Sequence, residues 1–217
     1  MDQLQKQFKQ YLEKEEKENA VRFAQRVVRD QVSIQRFYEE ILTPAMNTIE
    51  CHNEEEDLCI FREHIRSGIL RSVIESLYPV ILEQRSHATG KKAVVLCPDG
   101  EFHEMGARVV ADYFTLLGYD SIFIGNSTPK ESVVDAINYF SPDILAFSVT
   151  NYYNLHALQK TVEWIKNRYE TPPLLLAGGN AVYRNRTFVE DLEVTVIQQF
   201  KDLEQALKGG ESNETGI

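Results

Sequence analysis

From Lys91 onward the chain alternates short aliphatic runs with amphipathic stretches, and this alternation constrains the fold more than any other feature. Ala93–Cys97 (AVVLC), Ser121–Ile124, Ile144–Ser148 (ILAFS), Leu174–Ala177 and Val194–Ile197 read as five buried strands. Helices are expected near 104–117, 130–140, 154–168, 181–190 and 201–208. Parallel strands need a crossover of this length, and runs that are apolar on both faces must be covered on both faces. The pattern therefore predicts a parallel sheet between two helical layers.

Up to His87 the period is different. Phe37, Ile41, Ala45 and Ile49 form one stripe at helical spacing, and Phe61, Ile65, Ile69, Val73 and Leu77 form another. Segments around Leu4–Leu12 and Asn19–Asp30 add two more helices. The acidic stretch Asn53–Asp57 is expected to separate helices, and Thr43–Pro44 to kink or start one. The expected organisation is a helical bundle over 1–87, an α/β domain over 91–208 and a tail over 209–217 with nothing to bury. Ser86–Gly90 reads as the linker. The fold class is α/β: an N-terminal helical bundle followed by a flavodoxin-like five-stranded parallel sheet, strand order 2-1-3-4-5, with helices on both faces.

Composition narrows the function. Thirty-three acids against 23 bases give a formal charge of −10, a field that opposes nucleic acid and anionic lipid, so no direct nucleic-acid or membrane partner is expected. No apolar run reaches the roughly 20 residues that span a bilayer. The charged N-terminus has no secretory signature, and three cysteines without a CxxC pair read as reduced thiols, so a cytoplasmic location is expected. There is no G-x-S-x-G elbow and no Gly-rich phosphate loop, and these absences favour binding over catalysis.

In open parallel sheets ligands bind beyond the carboxyl ends of the strands, where strand order reverses. Three loops should gather there: Pro98–Gly106 after the first strand, Ser148–Tyr153 after the third, and Gly178–Asn180 after the fourth. His103 on the first loop can ligate a metal through one ring nitrogen while Glu101, two residues earlier, holds the other and fixes the tautomer. The alternative is an ordinary solvated histidine. Gly106 would let a bulky ligand approach the backbone. Ser148 and Thr150 either donate hydroxyl hydrogen bonds to something inserted beside the third strand or end that strand and cap the next helix. Gly178–Gly179 admits either a ligand or a tight turn.

Taken together, these residues resemble the cobalamin-binding fold, which carries D-x-H-x-x-G, S-x-L or S-x-T, and G-G after strands one, three and four. The matching positions are Glu101-Phe102-His103-Glu104-Met105-Gly106, Ser148-Val149-Thr150 and Gly178-Gly179. The resemblance implies cobalamin (adenosylcobalamin or methylcobalamin) bound base-off, with its nucleotide tail passing Ser148 and the glycine pair and His103 as lower axial cobalt ligand. Glu101 departs from the family's Asp by one methylene. The first half resembles the helical cap of methionine-synthase-like proteins in Phe37–Met46, and Glu63-His64 matches the E-H pair that shapes the upper-ligand pocket, especially in light-responsive regulators. The family tryptophan ten residues before that Glu is Asn53 here, and the photoreceptor histidine beside it is Glu54, with His52 nearby.

Two functions follow from the resemblance, and a third reading sets the cofactor aside. The first is a sensory or regulatory cobalamin protein, responsive to light or to the upper ligand, acting through a protein partner or homo-oligomer. The alternative is a corrinoid carrier subunit shuttling a methyl group for a methyltransferase system. A receiver-like signalling domain is the third, and it lacks the lysine such domains place after the fifth strand, where Gln198–Gln199 stands. The expected reading is the regulator, with the carrier as its alternative.

Overall fold

The computed structural model describes residues 1–48 and 56–211, and the side chains of all of these except 56–59 and 209–211. Ile49, His52, Asn53, Glu54 and residues 212–217 lie outside the described residues. The chain divides into two compact units, Met1–Gln84 and Arg85–Ile217.

The first unit is helical: α1 (Asp2–Glu13), α2 (Lys17–Asp30), α3 (Ile34–Phe37), a π turn (Tyr38–Leu42), α4 (Thr43–Met46) and α5 (Glu56–Gln84). Ser33 starts α3, its hydroxyl accepting from Arg36 N–H at 3.3 Å. Of the two expectations for Thr43–Pro44, the structure has the start of a helix: α4 begins at Thr43, directly after the π turn. Pro44 has no N–H for the carbonyl four residues back, and Thr43 N–H reaches five back to Tyr38 O. Phe8 is the centre of this core, 6.1 Å from the Phe23 ring and 5.7 Å from that of Phe37. The second stripe is buried only in its later part: Ile69, Val73 and Leu77 are covered, whereas Phe61 is exposed. The acidic stretch does not all separate helices, because Glu56 and Asp57 already belong to α5.

The second unit follows in strict alternation: β1 (Lys92–Pro98), α6 (Met105–Leu116), β2 (Asp120–Thr128), α7 (Lys130–Phe140), β3 (Ile144–Ser148), a 3-10 turn (Tyr152–Asn154), α8 (Leu155–Lys166), β4 (Leu174–Gly178), α9 (Asn180–Arg184), α10 (Arg186–Asp191), β5 (Thr195–Val196) and α11 (Phe200–Glu211). The five-stranded sheet is parallel with order β2-β1-β3-β4-β5. Val94, Leu96, Leu145, Phe147 and Leu158 lie in its apolar core. The helix expected over 181–190 is two helices that meet at Asn185, whose backbone leaves helical geometry at φ −125°. β2 runs four residues past its expected end, because register shifts against β1 between Val95 and Leu96 and between Leu96 and Pro98 carry it onward.

The expected linker Ser86–Gly90 is fastened into this second unit. Ser86 N–H donates to Leu116 O at 2.9 Å and Thr89 N–H to Gly118 O at 3.0 Å, and the Arg85 guanidinium reaches the carbonyls of Gly118 and Tyr119. Gly118, at φ +88°, makes the close approach possible: a Cβ there would stand 2.2 Å from His87 O. Among the described residues, no helix is long and apolar enough to cross a membrane.

Candidate functional site

Beyond Pro98 the chain turns sharply. Gly100, at φ +77°, takes the third position of a turn closed by Glu101 N–H to Pro98 O at 3.0 Å. This turn drives the Glu101 side chain inward, where it is fully buried, and leaves Phe102 and His103 facing out.

The Glu101 carboxylate is divided between two loops. Its Oε1 accepts from His103 N–H at 3.0 Å and from His103 Nδ1 at 2.5 Å. Its Oε2 accepts from the N–H groups of Thr150 (2.9 Å) and Asn151 (2.8 Å) and from the Asn154 amide (3.1 Å). Burial alone would push the carboxyl up. The hydrogen bonds from the His103 ring, the Asn151 and His103 N–H groups and Asn154 outweigh it and hold the carboxyl at about 2, from an ordinary 4.5. An ionised carboxylate at Nδ1 keeps the proton on that nitrogen and leaves the imidazole lone pair on Nε2. The His103 side chain is 55% exposed, so the ring stands at the surface with its tautomer set from beneath.

The rest of the first motif is built around this pair. Glu104 is buried, accepting from Arg108 Nε at 3.2 Å and from the Asn126 amide at 3.1 Å. Met105 opens α6. Gly106 stands against β3: a Cβ there would meet Ser148 Oγ at 3.2 Å. Cys97 lies below, its thiol donating to His103 O at 3.8 Å. Burial, then the carboxylates of Glu101 and Glu104, push that thiol from 9.0 to about 12, which leaves it no thiolate chemistry.

On β3, Ser148 and Val149 are buried. Val149 N–H donates to Gly178 O at 2.9 Å, and its carbonyl accepts from Ala181 N–H at 3.2 Å. Both glycines serve close backbone contacts. A Cβ on Gly178 would lie 2.8 Å from Ile197 O, and one on Gly179, at φ +105°, 2.4 Å from Val149 O. Ser148 does not cap the following helix; Asn151 Oδ1 does the local capping, accepting from Tyr153 N–H at 3.1 Å. After β5, the N–H groups of Gln198 and Gln199 both donate to Asp202 Oδ2, in the first turn of α11.

The structure thus brings Glu101, His103, Gly106, Ser148, Thr150, Gly178 and Gly179 to one edge of the sheet. Glu63 and His64 lie in the first unit, on α5, where His64 is exposed and Glu63 half-buried; Asn53 is outside the described residues. Asn154 was not legible as a partner of Glu101, since nothing in its spacing marks it beyond the start of a helix. Thr150 engages Glu101 through its backbone, not through the hydroxyl that drew attention to it.

A doubly wound α/β unit with an oriented, surface-facing imidazole at its carboxyl edge, preceded by a helical unit, defines a class of cofactor-binding protein. The protein-family model described as the B12 binding domain matches residues 91–208, more than half of the chain, and the chain belongs to that family of cobalamin-binding proteins. A curated relative, the HTH-type transcriptional repressor CarA of Myxococcus xanthus, is 28% identical over 91 residues, covering 42% of this chain and 31% of the repressor. The match therefore spans less than a third of that relative's length. Among solved structures, the monomethylamine corrinoid protein of Methanosarcina barkeri is similar over 95% of this chain and 98% of its own, with a TM-score of 0.80 and 13% identity. The methanol:cobalamin methyltransferase complex MtaBC of the same organism is similar over 100% of this chain and 81% of that chain, with a TM-score of 0.52 and 16% identity. At these identities the likeness is one of fold.

The residues at the sheet edge suit the cofactor on the structure's own terms. His103 offers one ring nitrogen with its lone pair fixed, and Gly106 brings the start of α6 close to Ser148, where a Cβ would already stand 3.2 Å from the hydroxyl.

Proposed function

We propose that the protein is a corrinoid carrier that holds cobalamin base-off, with His103 as the lower axial ligand, and presents the cobalt to a separate methyltransferase protein in the cytoplasm. The observation that carries this reading is the pairing of His103 Nδ1 with buried Glu101 at 2.5 Å. With its tautomer set by a buried carboxylate, this one imidazole could supply a single ligand to the cofactor's metal. The fold likeness to the monomethylamine corrinoid protein, running the length of both chains, supports carrier over regulator, reversing the order expected from sequence.

When bound, cobalamin supplies a cobalt centre that takes up and gives up a methyl group. The chain's own part is to bind and orient. Glu101 keeps the proton on His103 Nδ1, so that Nε2 remains a ligand. Ser148, Gly106 and the Gly178–Gly179 turn would border the nucleotide tail; for Glu63, His64 and Asn53, only the resemblance to the helical cap suggests a role, near the upper ligand. The phenylalanine at 102 is exposed beside His103 and is available to the corrin edge or a partner.

The regulatory reading retains one support, the match to the CarA repressor. Loss of the family tryptophan at Asn53 removes a shield for a bulky upper ligand, which favours methyl- over adenosylcobalamin. The experiment loads the protein with each form in the dark, removes free ligand by gel filtration, and records spectrum and elution volume before and after green light. Retained corrin whose His-on spectrum is lost in His103→Ala, with no light-dependent change in assembly, supports the carrier. A light-dependent change in elution returns the regulator, and absence of retained corrin rejects both.

A further inference from the structure

β2 ends irregularly, at the place where it meets the loop that carries His103. Two register shifts against β1 set Leu96 opposite Gly125 and Pro98 opposite Thr128. Between those pairs lies Ser127, which has a left-handed backbone at φ +44° without being glycine. Side chains at that conformation persist only where the surroundings over-determine them, and such residues gather at functional sites. Bulges likewise re-aim side chains beside sites.

Ser127 is aimed at the His103 loop. Its Oγ accepts from Gly100 N–H at 3.1 Å, and its own N–H donates to Glu101 O at 2.8 Å. Its neighbour Asn126 donates to Glu104 Oε2 at 3.1 Å. The residues on either side of the Phe102–His103 pair are therefore held from the β2 side, at main chain and side chain. The Glu101 carboxylate is held from the β3 side. Gly100 O also accepts from the Asn154 amide at 3.2 Å, so the β3 side holds the carbonyl of this turn and Ser127 holds its N–H.

We propose that Ser127 is a positioning residue for His103: the irregular end of β2 is a brace that fixes the direction of the metal-ligating nitrogen. This rests on His103 being the lower ligand, and the test separates the two. Protein carrying nitrogen-15 histidine is loaded with cob(II)alamin and its electron paramagnetic resonance recorded. Ligation by a protein histidine gives a doublet, whereas the cofactor's own benzimidazole gives a triplet.

Three substitutions separate the hydrogen bond from the backbone conformation. Ser127→Gly accepts the left-handed backbone and removes the acceptor, Ser127→Asn accepts it and keeps an oxygen, and Ser127→Ala removes both advantages. Wild type should show the doublet. In Ser127→Gly the ratio of doublet to triplet should fall roughly tenfold, as for loss of an outer partner of a ligating histidine, with a melting temperature no lower than wild type. Ser127→Ala should lose the doublet as well and melt lower; Ser127→Asn should restore it. An unchanged doublet in Ser127→Gly overturns the brace while leaving His103 as ligand. A wild-type protein that retains corrin but shows only the triplet overturns the ligand assignment, and the brace with it.

Discussion

Thr150 donates its backbone N–H to Glu101 Oε2 at 2.9 Å, joining two loops 49 residues apart in the chain. With the Asn151 N–H and the Asn154 amide on the same oxygen, one carboxylate closes the loop after β3 onto the loop after β1.

Removing that carboxylate leaves buried donors unpaired. Glu101→Ala should lower the unfolding free energy by about 3 kcal/mol, since each unsatisfied buried donor costs about 1–3 kcal/mol. Glu101→Asp, the residue the family carries, is one methylene short and cannot reach both loops from the same backbone; about 1 kcal/mol is expected. Urea unfolding at pH 7 measures both. An aspartate variant as stable as wild type would show that the loops close without the longer side chain.

The same carboxylate makes stability depend on acid. Its pKa is depressed in the folded chain, to about 2 from 4.5, so its contribution is complete above pH 4.5, fades as pH falls towards 2 and vanishes below that. The full effect corresponds to roughly 3 kcal/mol. Unfolding free energies of wild type and Glu101→Gln, measured between pH 7 and pH 2.5, should converge as the pH drops. A constant gap would mean that the unfolded chain binds no more protons at this position than the folded one.

The glycines should sort by what surrounds them. Gly179→Ala meets Val149 O at 2.4 Å with a left-handed backbone, and Gly178→Ala meets Ile197 O at 2.8 Å. Each should destabilise by about 2–4 kcal/mol. Gly68→Ala, on α5 with nothing within 4 Å, should stabilise by about 0.5–1 kcal/mol through helix propensity. Thermal unfolding followed by circular dichroism distinguishes the two directions.

Gly106→Val tests the nucleotide-tail course separately from the histidine. The new side chain would crowd Ser148 Oγ, where a Cβ already reaches 3.2 Å. Retention of cobalamin should fall by roughly tenfold or more, while cobinamide, which lacks the nucleotide, should be held nearly as well as by wild type. Equal losses for the two would place the tail elsewhere.

The strand order was expected only as the common one for such sheets, whereas nearly every strand was legible because parallel strands covered on both faces must be continuously apolar, as AVVLC and ILAFS are. The top of β2 was not, since Asn126 and Ser127 are polar and their place in the strand depends on bulges that no periodicity announces. At the site, Glu101 and His103 stood out by spacing. The partners of Glu101 did not, because two of them are backbone N–H groups and the third is an asparagine that reads as the start of a helix. Gly178–Gly179 was readable only as an alternative, and the close backbone approaches of Ile197 and Val149 account for both glycines. The stripe through Phe61 does lie on one helix, but periodicity locates a helix face and not how far along the helix its covering extends.

The strap from Arg85 to Lys91 bears on where this domain can be cut from its surroundings. The recognised family begins at residue 91, yet the turn after α6 receives its donors from Arg85, Ser86 and Thr89. A fragment trimmed to the family boundary would begin with bare carbonyls at Leu116 and Gly118. Evolution or an engineer transplanting this module intact would have to take six more residues than sequence comparison indicates, and would thereby import the last turn of attachment to whatever precedes it.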